Sequence, residues 1–481
     1  MKKKNRLYKL YLKNKTEYRK NVYKRMRNII VNKVKHAKKE YYHNQLKKAK
    51  GNMSKTWNVI NMALGKEKKK TNVSKIVVDD KCISDEKVIP DLFNDYFVNV
   101  GYNLNTKFIS RKNNHVGKYI VKNIKSAFFT PISPNEIVEV VKSFKSNTSS
   151  GYDDIDMKVV KKIIDNICHP LSVVLNKCLN NGVFPDKLKI ARVIPVFKSG
   201  SQEVLSNYRP ISVLPIFSKV FEKCIYNRLL SFINKCNILT SHQYGFRKGH
   251  STSHALINFI RNVTNAIDNE EVMLGIFLDL SKAFDTLDHD ILIYKLHLYG
   301  IRGIVLELFK SYLLNRRQFV TLNGYKSENK VLKCGVPQGS ILGPLLFILY
   351  INDLCNTSEV LRYILFADDT SIFMSHKDPV VLESVFNNEL DNISNWLYMN
   401  KLTVNTKKTN FMMFTNRSID INHINIKLAG SEIKHVPALK FLGIIIDNKL
   451  TWKNHLDIIC NKLSKSVGVL FRIKMLPTNI L

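Results

Sequence analysis

Thirteen residues, Tyr363 to Ser375 (YILFADDTSIFMS), constrain this chain more than any other stretch. Two runs rich in β-branched and aromatic residues, Tyr363–Ala367 and Thr370–Met374, are separated only by Asp368 and Asp369. Two strand-like runs with a two-residue connection predict a β-hairpin, and Asp tolerates the left-handed backbone that such a turn can require. The hairpin therefore carries two carboxylates side by side at its tip. Neighbouring like charges raise a carboxyl pKa unless a cation sits between them. In a chain of formal net charge +36, an acidic tip on an apolar hairpin points to a divalent metal. An ordinary surface Asp-Asp turn would read the same in isolation, so the rest of the chain must decide.

Charge narrows the class. Lys plus Arg number 75 against 39 Asp plus Glu, the footprint of a nucleic-acid or anionic-membrane partner. The excess is uneven: residues 1–70 hold 24 basic residues against Glu17, Glu40 and Glu67, so +21 of the +36 lies there. A hydrophobic fraction of 45% over 481 residues predicts a folded chain of more than one subdomain. The eight cysteines are scattered, with no Cys-x-x-Cys pair, which argues against zinc and for reduced thiols inside a cell, in nucleus or cytoplasm. No signal peptide follows the basic start. The most apolar run, Ile341–Ile351, is broken by Gly343 and Pro344 and is too short to span a membrane.

Residues 1–64 carry apolar side chains at loosely helical spacing up to a stop at Gly65, as either a solvated linker or a phosphate-tracking arm. Lys66–Lys70 (KEKKK) reads as a loop, Ile76–Val78 as a short strand, Val88–Val100 as a helix and 101–130 as a linker. Ser133-Pro134 opens a helix to Phe144. Asn147–Asp156 (NTSSGYDDID) is a loop. Its Asp153-Asp154 pair lacks flanking strands and reads as turn and cap chemistry, a control for the hairpin pair. Val159–Leu179 reads as two helices interrupted by Pro170, Ala191–Phe197 as a strand, and Asn207–Pro210 as the opening of another. A helix over Ser218–Ile233 and a loop at Gln243–Ser251 (QYGFRKGHS) precede a helix over 252–267.

Glu271–Asp279 (EVMLGIFLD) is a continuous apolar run, the pattern of a strand buried on both faces, and it ends in Asp279. A carboxylate at the carboxyl end of a buried strand lies where open sheets place their chemistry, although such an Asp also commonly caps the next element. If that strand neighbours the hairpin, Asp279, Asp368 and Asp369 converge into a ligand set for two Mg²⁺ ions roughly 3.5–4 Å apart. Between them lies Gly335–Ser340 (GVPQGS), ahead of an apolar helix over 341–354. A tight turn explains its glycines and proline but not Gln338, which on a Gly-flanked loop can lie against a base or sugar.

Taken in order, these segments resemble the reverse transcriptases of non-long-terminal-repeat (LINE-type) retrotransposons, jockey-like in character. The resemblance rests on RVIPVFKSG, NYRPISVLPIFSKVFEK, QYGFRKGHST, FLDLSKAFDTLDH, GVPQGSILGPLLFILYINDL, FADD, NKLTVNTKKTNFM and LKFLGIIID, and covers about Pro131 to Trp452. It implies an α+β right-hand polymerase fold (fingers, palm with antiparallel sheet and helices, truncated thumb) preceded by the basic helical segment. In residues, these would be an arm (1–70), a connecting region (71–130), fingers and the N-terminal part (131–270), a reverse transcriptase core (178–450) and a stub of thumb (451–481).

The implied activity is two-metal nucleotidyl transfer. It would extend a DNA primer on an RNA template with deoxynucleoside triphosphates and Mg²⁺, Mn²⁺ being able to substitute. Under the resemblance, Asp279, Asp368, Asp369 and the Leu280 carbonyl hold the metals, while Arg209 and Lys198 contact the triphosphate. Phe284, five residues after Asp279, is the aromatic gate against a ribose 2′-hydroxyl; by its own pattern it also reads as a core residue starting the next helix. Gln338 would position nucleotide or template, Lys408 would protonate the leaving pyrophosphate, and Gly443 would belong to the primer grip. Phe366 stands where many relatives have Tyr. No endonuclease segment precedes the match, no Cys/His knuckle or ribonuclease H segment comes after it, and 34 residues remain after the FLGIIID strand. The expectation is a piece of an element's second reading frame or a degenerate copy with an intact palm; the alternative is an inactive relic that binds RNA or template–primer duplex.

Overall fold

The apolar run ending at Asp279 forms the strand Val272–Leu278, the middle of five. It belongs to a computed structural model that describes residues 2–65, 73–106, 108, 116–417 and 423–473. The strand order is Lys434–His435, Asn410–Phe414, Val272–Leu278, Asp369–His376, Arg362–Phe366. All pairings are antiparallel except the first. Alternation sends successive side chains to opposite faces. Leu274, Ile276 and Leu278 join Ile372 and Met374 in the main core, whose other members come largely from helices. On the opposite face Phe277, Phe373, Phe414 and Phe441 surround Phe259 of the helix Thr252–Asp268, with ring centroids 5.3–5.7 Å away. Edge-to-face pairs of this kind each add about 0.5–1.5 kcal/mol beyond area burial. The two-sided burial expected of the strand is what the sheet provides.

Beneath the sheet, the Lys295 ammonium lies 2.5 Å from Asp353 Oδ1, and Trp396 Nε1 donates to Asp353 Oδ2 at 2.9 Å. Burial lowers the Lys295 pKa while Asp353 opposes the shift. Removing either partner would strand a buried charge, at a cost of about 3–5 kcal/mol.

A second sheet, in the order Tyr208–Val213, Ile190–Phe197, Arg317–Leu322, Tyr325–Lys326, takes Lys330–Val331 on its third strand. Phe93 and Phe97, from the helix Ile89–Asn105, pack on its Val193, Tyr208 and Val320. Residues 116–130 hold neither helix nor strand. They are tied down by Asn123 N–H to the Leu298 carbonyl (3.0 Å) and Ala127 N–H to the Gly300 carbonyl (2.8 Å).

Four local expectations change. The hairpin turn is Ala367-Asp368, because Asp369 already pairs with Phe366. Val159–Leu179 falls within one helix, Met157–Asn181, that runs through Pro170. Pro170 is exposed and costs a backbone bond, while buried Ile164, Ser172 and Leu175 anchor both flanks. The apolar helix after GVPQGS starts at Gly343, so Pro344 lies in its first turn, where no N–H is needed; it ends at Tyr350, ahead of a 3₁₀ turn at Asn352–Asn356. FLGIIID is a hairpin of Ala438–Phe441 and Ile444–Asp447, with Gly443 in its turn at φ +98°.

Residues 1–71 and 452–481 constitute a separate unit. It contains the helices Lys2–Lys13, Glu17–Ala49, Met53–Ala63 and Lys453–Ile473. Thr16 caps the second, Gly65 follows the third at φ +67°, and Leu46, Val59 and Ile60 form a small core with Val469. The KEKKK loop, residues 107 and 109–115 of the expected linker, and 474–481 of the expected thumb stub lie outside the described residues. Among the described residues no helix is long and apolar enough to cross a membrane.

Candidate active site

Register brings the acids together. Leu278 pairs with Thr370, so Asp279 leaves its strand beside Asp369 and the hairpin tip. The residue 403–409 segment holds Asp279 from the other side. Asp279 N–H donates to Thr409 Oγ1 (3.2 Å), Asn405 N–H to the Asp279 carbonyl (2.8 Å), and Ser281 N–H to the Thr403 carbonyl (2.8 Å). The same segment sets Lys408 Nζ 3.9 Å from Asp279 Oδ2. Desolvation raises the Asp369 carboxyl pKa, Asp368 and Asp279 raise it further, and Lys198 opposes them. The three acids are thus near enough to repel.

They adjoin a cleft of about 580 Å³ lined by Lys198, Arg209, Asp279, Leu280, Phe284, Gln338, Asp368 and Lys408. That size suits a small-molecule site, which typically occupies about 300–1,000 Å³. Arg209 and Lys198 reach it because their strands pair, Arg209 opposite Val196, with Lys198 N–H bonded to the Asn207 carbonyl at 2.8 Å. Of the residues expected from sequence, only Asp369, at the base of the tip, and Gly443 are absent from the lining. A comparable cleft of about 600 Å³ includes Asp79 and Asp95 but no basic residue among its described lining residues. Those residues give an anion no opposite charge.

Lys282 is a cleft residue that sequence reasoning missed. Burial lowers its pKa, Asp285 opposes, and Lys198, Lys408 and Arg209 push the same way as burial. Four cations facing three acids can take a polyphosphate on one side and metal on the other. Phe284 sits in two settings at once. It lines the cleft, yet it also stacks on Phe347 (4.5 Å, 24°) and meets Phe246 edge-on. It is not helical, since the next helix begins at His289 behind the Asp288 cap.

Two further partners escaped the sequence. Gln338 Nε2 donates to both oxygens of Asp285, at 2.8 and 3.0 Å. Burial pushes the Asp285 carboxyl up to about 6, against the pull of Gln338 and Lys282. The Gln338 loop is held by Ser212 N–H bonded to the Gln338 carbonyl (2.7 Å), and a Cβ on Gly339 would lie 2.5 Å from the Ser212 oxygen. Gln243, within an expected loop, is buried beneath the hairpin. Its Oε1 accepts from Gly245 N–H (2.8 Å) and Ala367 N–H (3.2 Å). That bond braces Ala367 at φ +57°, a conformation uncommon for a residue with a Cβ. A Cβ on Gly245 would fall 2.3 Å from the Ala367 nitrogen. Glycines at known spacing and a glutamine two residues before one were the only signals, and neither says what it touches.

Among the described residues no three His, Cys, Asp or Glu side chains enclose a metal by themselves. The donor set nonetheless fits a hard cation: all oxygen, mutually repelling, and open to a cleft. Mg²⁺ characteristically takes one or two carboxylates and completes its shell with water and substrate phosphates.

A model of the reverse transcriptase (RNA-dependent DNA polymerase) family matches residues 196–446, more than half of the chain. The RNA-directed DNA polymerase from mobile element jockey of Drosophila melanogaster is 30% identical over 333 residues, 68% of this chain and 36% of the relative. The probable RNA-directed DNA polymerase from transposon BS of the same organism is 32% identical over 340 residues, 68% of this chain and 37% of the relative. A type-2 element, R2DM, is more distant, at 25% over 239 residues. The chain spans just over a third of the length of the first two. A mixed α/β domain whose matched stretch contains both the paired acidic strands and the cationic cleft thus belongs to the reverse transcriptase family.

Proposed function

We propose that the chain is an RNA-directed DNA polymerase that extends a DNA primer on an RNA template. The Leu278–Thr370 register carries the reading: it delivers one carboxylate from each of two chain-distant segments to one rim of a cationic cleft. In this reading the five-stranded sheet and its helices are the palm, and the second sheet with Lys198 and Arg209 belongs to the fingers. The helix Lys453–Ile473, next in sequence after the Gly443 hairpin, would belong to the thumb.

Asp279, Asp368, Asp369 and the Leu280 carbonyl would hold two Mg²⁺ ions, or Mn²⁺ in their place. When bound, such ions neutralise charge on the attacking and leaving oxygens of an in-line displacement at phosphorus. Arg209, Lys198 and Lys282 grip the triphosphate of a deoxynucleotide, Arg through its planar fork and Lys as a point charge. Lys408, beside Asp279, holds a proton for the departing pyrophosphate. Phe284 occupies the space of a 2′-hydroxyl, Gln338 orients the nucleotide, and Gly443 touches the primer strand. The basic helices of residues 2–63 track nucleic-acid phosphates without reading sequence.

Primer extension on poly-rA with oligo-dT tests the reading directly. Incorporation of dTTP that requires Mg²⁺ is expected. Tight binding of the duplex with no incorporation would instead make the chain a nucleic-acid-binding relic.

A further inference from the structure

Gln338 lines the cleft with an amide whose two ends are chemically opposite, an NH₂ that donates and an oxygen that accepts. Which end faces the cleft is a matter of what holds the other. The partner is Asp285, and an ionised carboxylate has no proton to give, so only the NH₂ end can face it. We infer that Asp285 is a positioning residue that locks the Gln338 amide with its oxygen toward the cleft, so that the site accepts a hydrogen bond from the nucleotide. This inference rests on the polymerase reading.

The surroundings make that lock firm. Asp285 is fixed by its backbone as well as its side chain. A Cβ on Gly101 would lie 1.9 Å from the Asp285 carbonyl oxygen, and one on Gly335 2.7 Å from it. Val336 N–H donates to the neighbouring Phe284 carbonyl at 3.0 Å. The Asp285 segment and the Gln338 loop are therefore bolted together at backbone level, leaving the amide little freedom except to flip about its own axis. The groups facing Asp285 are Lys282 on its own segment, Tyr96 on the helix Ile89–Asn105 and Cys334 on the Gln338 loop. Burial pushes the Cys334 thiol up to about 12 and the Tyr96 phenol up, so neither ionises near neutrality. Asp285, held up near 6, loses its acceptor-only character as pH falls through that value. Protonated, it can donate to the amide oxygen and release the lock.

Steady-state kinetics of the full chain with Mg²⁺, poly-rA/oligo-dT and dTTP test this. In Asp285→Asn, the new amide can donate to Gln338 and turn it over. The KM for dTTP should rise about tenfold, the cost of losing one hydrogen bond and setting two donors against each other, with kcat and primer–template affinity little changed. The wild-type KM should climb as pH falls through about 6, while that of Asp285→Asn stays flat. Exchanging the pair, Asp285→Asn with Gln338→Glu, keeps the total charge and again leaves an oxygen toward the cleft, so the KM should recover most of the loss. A merely structural Asp285 would not be rescued by the exchange. A wild-type KM in Asp285→Asn, or an exchange no better than the single variant, overturns the inference.

If the wild-type chain does not extend primers, the polymerase reading fails and the lock is read without turnover. With Gln-selective ¹⁵N labelling, the Gln338 side-chain amide, assigned by its loss in Gln338→Glu, should shift with a midpoint near pH 6. A resonance unmoved between pH 5 and 8 overturns it.

Discussion

Asp153-Asp154 and Asp368-Asp369 are the same dipeptide in two settings, and only their surroundings separate them. In the first, every charge is spoken for locally. Asp153 Oδ1 accepts from Ile155 N–H at 3.4 Å, Asp154 turns at φ +51° and meets Arg192 at 3.1 Å, and Asp156 caps the next helix. In the second, the described residues supply no ion pair to either acid, and a third carboxylate arrives from a strand about 90 residues earlier. One pair finishes a turn. The other is set by strand register beside a third acid, where the proposed function would complete it with metal.

The largest expected effect attacks that contrast directly. Asp368→Asn should lower primer extension by about 10²–10³-fold or more while template–primer affinity stays near wild type, since it removes stabilisation made in the transition state. Normal incorporation would dissolve the distinction between the pairs. Next, the bracing under the second pair can be removed without touching an acid. In Gly245→Ala the added methyl meets the Ala367 nitrogen, so the tip must shift. A kcat loss of about tenfold and a stability loss of about 1–3 kcal/mol are expected, read by single-nucleotide incorporation and urea unfolding. Full activity would mean that the tip is held by its strands alone.

Phe284→Val sharpens the comparison at the rim of the cleft. As a gate, the variant stays folded, keeps deoxynucleotide use, and gains ribonucleotide incorporation by about tenfold, the discrimination a hydrophobic pocket of changed size can give. As a core residue it loses about 1–3 kcal/mol and both activities together. Smallest of all is Asp154→Asn. Asn tolerates the same left-handed backbone, and Asp154 is exposed on its side of the ion pair with Arg192, so melting and extension should change by less than about 1 kcal/mol.

Sequence revealed the parts whose signal is local. Apolar runs located the strand of Asp279 and the hairpin, and Ser133-Pro134 placed a helix start. The turn was displaced by one residue because an Asp is a more usual left-handed residue than Ala367, which is held there by Gln243. Pro170 reads as a break because propensity cannot see that both flanks are buried. Lys282, Asp285 and Gln243 went unnoticed for one reason. Each acts through a partner far along the chain, and a lysine or glutamine in a loop has no period to betray it. The resemblance located eight cleft residues, but not the contacts that hold them.

The Gln243 segment has one more consequence, for association between molecules. Arg362–Phe366 is the last strand of its sheet, and a bare outer strand offers unpaired N–H and carbonyl groups to any other extended chain. Here Tyr244 N–H donates to the Leu365 carbonyl at 2.8 Å and Leu365 N–H to the His242 carbonyl at 2.9 Å, while Gln243 bridges Leu365 in parallel. The segment whose Gln243 braces the acidic tip thus also uses up part of that edge. Loosening it would bare a sticky margin next to the three acids, so variants of this segment should aggregate as well as lose activity.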